Sequence, residues 1–235
     1  MNPLKRVVHQ AGRWYIRQIC KSEEESQSFS VHNERPIEFR FALQALSEHR
    51  PKTILDVGTG TTAWPHLLRN CGFLVTATDN VRDYWPEGMV NRHWHVHDVD
   101  ILKPDPLAGK QFDAVTCISV LEHIRDQATA MRNMTALVKP GGHLILTTPY
   151  AHSTPDENVY RRPDALYGQT NPYPCRSHSK AEFEGWLAMG LSLEKRELWQ
   201  LFDGPVWATG KRVPWQQAQS ENELHQLGCF LFRKK

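Results

Sequence analysis

The sequence has little of three features that would narrow its class at once. Its five cysteines are scattered and none forms a CxxC pair, which excludes a dense disulfide framework and a cysteine zinc site and favours a reducing compartment. No apolar run is long enough to span a bilayer, and no signal-peptide core is present near residue 1. We therefore expect a cytoplasmic protein. The formal net charge of the 235 residues is only +2, so no nucleic-acid partner is expected.

From residue 53 onward, apolar runs of strand length alternate with segments of helical period. This alternation predicts an α/β fold with a mostly parallel sheet and helices on both faces. The five strands expected first are TILDV, FLVTATD, HWHVHDV, FDAVTCIS and HLILTTP. Two more are expected near the end, SLEKRELWQ and ELHQLGCFLF, as an antiparallel pair joined by the long connection DGPVWATGKRVPW.

The first 50 residues have a different character. Residues 1–21 predict a basic amphipathic helix, residues 22–30 a polar linker, and residues 34–49 a second helix. Arg35 at its start is expected to be a surface charge, or alternatively to meet a carboxylate of the ligand. We expect residues 1–50 to form a helical extension or lid, and residues 51–235 to form the main domain. The basic helix could alternatively contact an anionic membrane peripherally.

The stretch KTILDVGTGTTAW, residues 52–64, predicts a buried strand that turns sharply into a helix. Glycines at positions 58 and 60 would let backbone N–H groups approach a ligand closely. With Ala63 they fit the G-x-G-x-x-G/A pattern of dinucleotide sites. They fit equally well a nucleoside cofactor that has no pyrophosphate.

Acidic residues decide between these cofactors. Asp56 precedes the glycine turn, Asp79 ends the second strand and Asp98 ends the third. Asp79 suits ribose hydroxyls in either case, and Asp98 could accept from the adenine amine. Asp56 would repel a pyrophosphate but attract a sulfonium and an ammonium. The three acids therefore favour S-adenosylmethionine over NAD.

The segments ILDVGTG, TATDN, HDVDIL, FDAVTCISVLEHI and LVKPGGHLILTTP occur in this order. Over about residues 50–150 the chain thereby resembles the class I S-adenosylmethionine-dependent methyltransferases, in particular the branch acting on small molecules, quinones, sugars and lipids. The resemblance implies a doubly wound, Rossmann-like, seven-stranded sheet with an antiparallel last strand. It also implies S-adenosyl-L-methionine as cofactor. Thr62 departs from the family pattern, which often has a third glycine there.

The resemblance carries a set of cofactor contacts onto this chain. The methionine end, the ribose and the adenine are each assigned a group of residues. The assigned residues are Asp56, Gly58, Thr59 and Gly60 for the methionine end, Asp79 for the ribose, Asn80, Asp98 and Val99 near the adenine, and Ser119 under the methionyl part.

Methyl transfer is an in-line displacement, in which alignment of donor and acceptor contributes much of the catalysis. A hydroxyl acceptor also needs a base. His123, in LEHI after the fourth strand, is the candidate base, or alternatively packs the next helix, and Glu122 is expected to be structural. No metal site is expected, because the alternating His93, His95 and His97 suit the exposed face of an edge strand better than a ligand set.

The segment at 150–178 is rich in Pro, Tyr, Arg and His and has no clean period. A loop this long inside a compact domain is usually functional or mobile, so we expect an insertion that builds the acceptor pocket, or alternatively a solvated loop with surface arginines. Arginine binds carboxylate and phosphate in bidentate fashion. The candidate substrate-binding residues are Tyr160, Arg161, Arg162, Tyr167 and His178.

The sequence therefore predicts a methyltransferase for a small-molecule, glycan or lipid-type acceptor, most simply acting at oxygen. Three alternatives stay open. The first is a methyltransferase for nucleic acid or protein. Its nucleic-acid form is disfavoured by the near-neutral charge and by the lack of an NPPY-type motif after the fourth strand. An NAD-dependent oxidoreductase is disfavoured by Asp56. A scaffold protein that binds the cofactor without turnover would be indifferent to the loss of His123.

Overall fold

A computed structural model describes residues 3–28, 33–81, 89–103, 105 and 107–235. The chain divides into two compact units, Met1–Glu34 and Arg35–Lys235. The division falls before the second helix, whereas the sequence suggested a boundary near residue 50. The reason is burial: Phe41 and Ala45 of that helix are 0% and 1% exposed and share a core cluster with Ile54 of the first strand.

The first unit contains one helix, α1 (Pro3–Glu25). It continues beyond the predicted end at residue 21 into the segment expected to be a linker. Glutamate is a good helix former, and Glu25 pairs with Lys21 one turn earlier at 3.4 Å, a spacing that supports a helix. The last predicted linker residues, 29 and 30, lie outside the described residues.

The second unit is built on one eight-stranded sheet in the order β3-β2-β1-β4-β5-β8-β6-β7. The strands from β3 to β5 in this order pair in parallel, and the pairs that follow β5 are antiparallel. The strands are β1 (Thr53–Val57), β2 (Leu74–Asp79), β3 (Val96–Asp98), β4 (Phe112–Ile118), β5 (Val138–Pro149), β6 (Leu191–Phe202), β7 (Arg212–Ala218) and β8 (Leu227–Lys234).

Helices cover both faces of the sheet, as predicted. Successive residues of a strand point to opposite faces, and Ile54 and Leu55 accordingly belong to two different core clusters. Residues of α2 and α3 pack in the cluster of Ile54, and residues of α4 and α5 in the cluster of Leu55. These helices are α2 (Arg35–His49), α3 (Trp64–Asn70), α4 (Gln127–Leu137) and α5 (Lys180–Leu187).

The sheet has one strand more than the seven predicted. The additional strand, β7, begins within the stretch expected to be a connection between the last two strands and extends three residues beyond it. It carries Pro214, which normally argues against a strand because it cannot donate to the ladder. β7 is the last strand of the sheet order, and proline is tolerated on such edges.

The strand β5 begins earlier than predicted, because the KPGG segment expected to be a turn is part of it. The pairing with β4 shifts between Phe112 and Ala114, which accommodates the irregular segment. A Cβ on Gly142 would lie 2.6 Å from the carbonyl oxygen of Asp113, so only glycine permits this approach. The edge strand β3 is shorter than predicted, and its residues His97 and Asp98 are exposed.

Candidate functional site

A cavity of about 550 Å³ opens at the carboxyl ends of β1, β2 and β4, where ligands bind in open α/β sheets. It collects most of the residues predicted to bind the cofactor or to act as base. Those that line it are Asp56, Gly58, Thr59, Gly60, Asp79, Asn80, Val99, Ser119 and His123.

The glycine turn between β1 and α3 is held by β2. The backbone N–H groups of Gly58 and Thr59 donate to the carbonyl of Thr78 at 2.8 and 3.1 Å. A Cβ on Gly58, whose φ is +74°, would lie 2.3 Å from the side chain of Val120. The glycines at 58 and 60 were expected to let backbone N–H groups of this turn approach a ligand. Those of Gly58 and Thr59 instead fix the turn, and Gly58 is needed for close packing.

Asp56 lies on the cavity floor and is 3% exposed. Its two carboxylate oxygens accept hydrogen bonds from the hydroxyls of Thr59, at 2.6 Å, and Thr116, at 2.7 Å. Burial raises the pKa of Asp56 to about 6, with a further contribution from the nearby carboxylate of Asp79. A cation in the cavity would favour the ionised form of Asp56.

Asp79 ends β2 and joins that strand to the glycine turn. Its Oδ2 accepts the backbone N–H of Gly60 at 2.7 Å. Asn80 follows it along the cavity wall. A half-buried carboxylate at the end of the second strand is the acceptor that ribose hydroxyls need.

The structure does not bring Asp98 to the cavity. Asp98 is exposed and accepts the backbone N–H of Val81 at 3.2 Å. The wall is formed instead by Val99 and the residues after it, including Asp100, whose Oδ1 accepts the N–H of Leu102 at 2.9 Å. The acidic residue on the cavity wall is therefore Asp100, two residues after the predicted Asp98. The chain continues past the end of β3 before it reaches the cavity.

A carboxylate that the sequence analysis missed lies beneath Ser119. Glu38 of α2 is fully buried. Its Oε1 accepts the hydroxyls of Ser119, at 2.5 Å, and Thr147, at 2.6 Å, and its Oε2 accepts Arg35 at 2.9 Å. Ser119 has a φ of +49°, an uncommon conformation for a residue other than glycine that often marks functional sites.

Arg35 lines the cavity, which corrects the expectation of a surface charge and agrees with the alternative that it meets a ligand carboxylate. It donates to Glu38 and to the carbonyl of Ile118. A signal for Glu38 did exist in the sequence. Phe41 and Ala42 stand three and four residues further along the helix, so Glu38 is a polar residue within an apolar stripe.

His123 is the last residue of the short 3-10 helix Leu121–His123 and lines the cavity. Its Nδ1 lies 2.7 Å from the carbonyl oxygen of Pro174, and its ring contacts that of Tyr173 at 4.8 Å. A carbonyl can only accept, so Nδ1 carries the proton and Nε2 is an acceptor. Burial lowers the pKa of His123 to about 4.

Glu122 lies behind His123, as expected of a structural residue. It is 3% exposed and accepts the hydroxyl of Thr148 at 3.2 Å. Burial raises its pKa to about 8. Its Oε1 lies 3.9 Å from Nε2 of His123.

The two arginines predicted to bind the acceptor do not line the cavity. Arg162 pairs with Asp156 at 3.1 Å and with Asp164 at 2.8 Å. Arg161 is exposed and donates to the carbonyl of Gln169 at 2.8 Å. Both arginines therefore stabilise the fold of their own segment, an outcome that composition alone cannot predict.

The other three predicted acceptor residues also lie away from the cavity lining. Tyr160 is 8% exposed within a core cluster, and Tyr167 is half-buried beneath the guanidinium of Arg212. His178 is fully buried against Trp186. From the whole segment 150–178, the cavity receives Tyr173, for which the sequence gave no signal.

Comparison with known proteins identifies the family. The profile of a family described as "Methyltransferase domain" matches residues 32–206. The chain belongs to this methyltransferase family. The match confirms the resemblance to class I S-adenosylmethionine-dependent methyltransferases that the motifs indicated.

Curated relatives share part of the sequence. The chain is 29% identical over 125 residues to a ubiquinone biosynthesis O-methyltransferase of Coxiella burnetii, covering 50% of this chain and 52% of the relative. It is 30% identical over 148 residues to the protein of the same name from Alkalilimnicola ehrlichii, covering 59% and 55%. The chain thus spans about half the length of these relatives.

Solved structures share the fold. A 1,6-didemethyltoxoflavin N1-methyltransferase of Burkholderia thailandensis superimposes with a TM-score of 0.56 at 16% identity, over 97% of this chain and 90% of the other. A possible histamine N-methyltransferase of Thermotoga maritima gives a TM-score of 0.52 at 18% identity, over 94% and 100%. These likenesses confirm the Rossmann-like α/β fold.

Proposed function

We propose that this protein transfers the methyl group of S-adenosylmethionine to a hydroxyl oxygen of a small aromatic acceptor. The observation that carries the proposal is the chemistry of the cavity. Asp56, Asp79 and Asp100 line it together, while the N–H groups of Gly58 and Thr59 are bonded to β2. Such a cavity suits a cationic nucleoside, and these two backbone donors of the turn are not available to a pyrophosphate.

The residues present fit the cofactor. Asp79 and Asn80 would hold the ribose, and Val99 and Asp100 the adenine. The indole Nε1 of Trp64, in the cavity wall, is buried without a hydrogen-bond partner among the described residues, which is a donor suited to a ligand oxygen.

The methionine end would lie among four residues on the other side of the cavity. Asp56 supplies negative charge near a sulfonium and an ammonium, while Thr59 and Gly60 shape the turn beneath them. Arg35 offers a guanidinium to a carboxylate. S-adenosylmethionine would supply a methyl group activated by the sulfonium, and the protein supplies alignment and exclusion of water.

The proton of the acceptor hydroxyl would be taken by His123. Its Nε2 is the acceptor nitrogen, since Nδ1 is bonded to the carbonyl of Pro174. With a pKa lowered by burial, the imidazole is neutral throughout the physiological range. It would take the proton from the hydroxyl as the oxygen forms its bond to the methyl carbon and the carbon–sulfur bond breaks.

An aromatic acceptor is favoured by the remaining walls. Phe39 and Trp64 stack at 4.7 Å, and Tyr173 and His123 contact each other nearby on the lining. Rings of this kind bind an aromatic ring by stacking and edge-to-face contact. The relatives named ubiquinone biosynthesis O-methyltransferases support the same acceptor class and the transfer to oxygen. A glycan acceptor, considered from the sequence, has less support from these walls.

The first test is thermal unfolding in the presence of S-adenosylhomocysteine or NADH. At a hundredfold its dissociation constant, a ligand stabilises the folded state by about 2.7 kcal/mol. Stabilisation by S-adenosylhomocysteine alone is expected, followed by methyl transfer to a panel of phenols and catechols. Stabilisation by NADH alone would refute S-adenosylmethionine as the cofactor. Binding of S-adenosylhomocysteine without methyl transfer to any phenol would favour a protein that binds the cofactor without turnover.

We also propose that α1 contacts an anionic membrane surface and that the enzyme acts in the cytoplasm. Leu4 is 70% exposed and Trp14 65% exposed, and at 100° per residue they fall in one apolar sector of α1. Outside this sector the helix carries the basic residues Lys5, Arg6, Arg13 and Arg17, and Lys21 lies at the border. None of the helices in the described part of the chain has the length and apolar character to cross a membrane, and a helix of this pattern lies in the interface instead.

A further inference from the structure

Three side chains from separate elements meet at the end of α2 that is remote from the cavity. His49 is the last residue of α2, His143 belongs to β5 and Glu194 to β6. The two imidazole rings have centroids 3.9 Å apart, with 33° between their planes. Among the residues that the structure describes, these three form a group whose ligand atoms all lie within 4.8 Å of one another.

The distances match those between ligands of one metal ion. Nε2 of His143 lies 3.1 Å, and Nε2 of His49 3.4 Å, from the same oxygen, Oε2 of Glu194. Ligands at about 2.0–2.1 Å from a tetrahedral zinc ion are about 3.4 Å apart. The three donors therefore already stand at nearly the separation that coordination requires.

We propose that His49, His143 and Glu194 bind a divalent zinc ion, with water completing the coordination. Two imidazole nitrogens and one carboxylate oxygen are a zinc ligand set, whereas magnesium and calcium prefer oxygen ligands alone. The side chains of the three residues are 33%, 13% and 27% exposed, so an ion and its waters have access from solvent.

The charge around the cluster is compatible with one bound cation. The guanidinium of Arg233 is a positive charge close to the cluster, and its Nη1 lies 4.0 Å from Oε1 of Glu194. The oxygen that faces both imidazoles is the other one, Oε2. Arg233 can thus orient the carboxylate from one side while Oε2 binds the ion, which is the role that outer-shell partners have in metal sites.

The zinc would be structural rather than catalytic. His49 lies 14 residues after Arg35 on α2, which corresponds to about 21 Å along a helix. Arg35 lines the cavity, so the cluster and the cavity are at opposite ends of this helix. A zinc ion bound here would fasten the end of α2 to β5 and β6. The sequence gave no hint of the site, because its ligands are far apart along the chain.

The test is zinc binding by the full chain after treatment with a chelator. We expect one equivalent of Zn²⁺ to raise the melting temperature and Mg²⁺ to leave it unchanged. Co²⁺ should give the visible bands of a nitrogen and oxygen site without a thiolate charge-transfer band, which excludes binding at the exposed Cys20 and Cys71. In Glu194→Gln the affinity for Zn²⁺ should fall by about 100-fold or more, since even outer-shell partners are worth 10- to 100-fold.

Glu194→Gln keeps the shape of the side chain and a hydrogen-bond acceptor for His143, so it should fold. The matched control is the double variant His95→Ala, His97→Ala, which removes an exposed pair of imidazoles 4.7 Å apart at the β3 edge. It should bind Zn²⁺ like the unmodified protein. The proposal is overturned if Zn²⁺ shifts the melting temperature of Glu194→Gln undiminished, or if the control loses the shift instead.

Discussion

The carboxylate of Asp79 and the backbone N–H of Gly60 form a hydrogen bond of 2.7 Å. This bond ties the end of β2 to the turn that follows β1, directly on the cavity wall. The acid expected to bind the cofactor ribose therefore also sets the shape of the glycine turn. Its removal should affect binding through both roles.

We predict that Asp79→Ala weakens the binding of S-adenosylhomocysteine by about 10- to 100-fold, since hydrogen bonds to a charged group contribute about 1.5–3 kcal/mol. The matched control is Asp98→Ala, which removes the acid at the end of the adjacent strand that is exposed and absent from the cavity lining. Calorimetry on the folded variants should show a loss for the first and none for the second. An equal loss of affinity in both variants would show that Asp98 also contributes to cofactor binding.

The buried carboxylate of Asp56 should make cofactor binding depend on pH. Burial raises its pKa to about 6, so it is protonated below that pH and ionised above it. A cationic ligand binds the ionised form better, which predicts that the affinity for S-adenosylmethionine increases as the pH rises from 5 to 7.

The charge of the ligand offers a control for this dependence. S-adenosylhomocysteine lacks the sulfonium charge and should show a smaller increase over the same range. Asp56→Asn removes the titrating group, and its affinity for S-adenosylmethionine should change little near pH 6. Calorimetric titrations at several pH values measure both effects. An unaltered pH dependence in Asp56→Asn would assign the titration to another group.

The strongest sequence patterns predicted the fold well. β1 is Thr53–Val57 as predicted, because a short apolar run before a glycine turn has one good interpretation in an α/β protein. β7 was missed because Pro214 is a poor strand residue everywhere except at an edge, and edge positions follow from topology that a local pattern does not contain.

The site was only partly predictable for a related reason. Asp56 and Asp79 could be assigned to the site because they stand near the ends of predicted strands. Asp98 and Asp100 are two residues apart and would point to the same side of a strand, so the sequence does not show which of them reaches the cavity. Arg162 was predicted to bind an acceptor, whereas it pairs with acids of its own segment. Side-chain pairing within an irregular segment depends on its three-dimensional conformation. The sequence of such a segment has no helix or strand period from which that conformation could be predicted.

Glu38 should be important for stability. Its carboxylate accepts hydrogen bonds from Ser119, Thr147 and Arg35. Glu38→Ala therefore leaves a buried hydroxyl, a half-buried hydroxyl and a guanidinium without this acceptor. We expect a loss of about 3 kcal/mol in the free energy of unfolding, near the lower bound for breaking a buried pair because Arg35 is partly exposed. Urea denaturation measures it. On the same helix the exposed Glu48→Ala should change stability by less than about 0.5 kcal/mol.

The role of His123 can be separated from cofactor binding. His123→Asn should leave the affinity for S-adenosylhomocysteine unchanged and lower kcat by about 10²- to 10⁴-fold, the usual contribution of a positioned base. The pKa of His123 is lowered by burial to about 4, so the base form persists as the pH falls through 6.5. At saturating S-adenosylmethionine, kcat should therefore show no step there. A variant that keeps its kcat would exclude His123 as the base.

The proposed membrane contact of α1 depends on its basic residues. The double variant Arg13→Glu, Arg17→Glu should reduce binding to vesicles of phosphatidylcholine with phosphatidylglycerol by at least about 30-fold, since each arginine near an anionic surface contributes about 1 kcal/mol. Arg69→Glu with Arg132→Glu makes the same change of charge on exposed residues of the main domain and should bind normally. Co-sedimentation measures both, and vesicles of phosphatidylcholine alone should retain little protein. Equal loss in the two double variants would indicate attraction by net charge, and α1 would then have no particular role at the membrane.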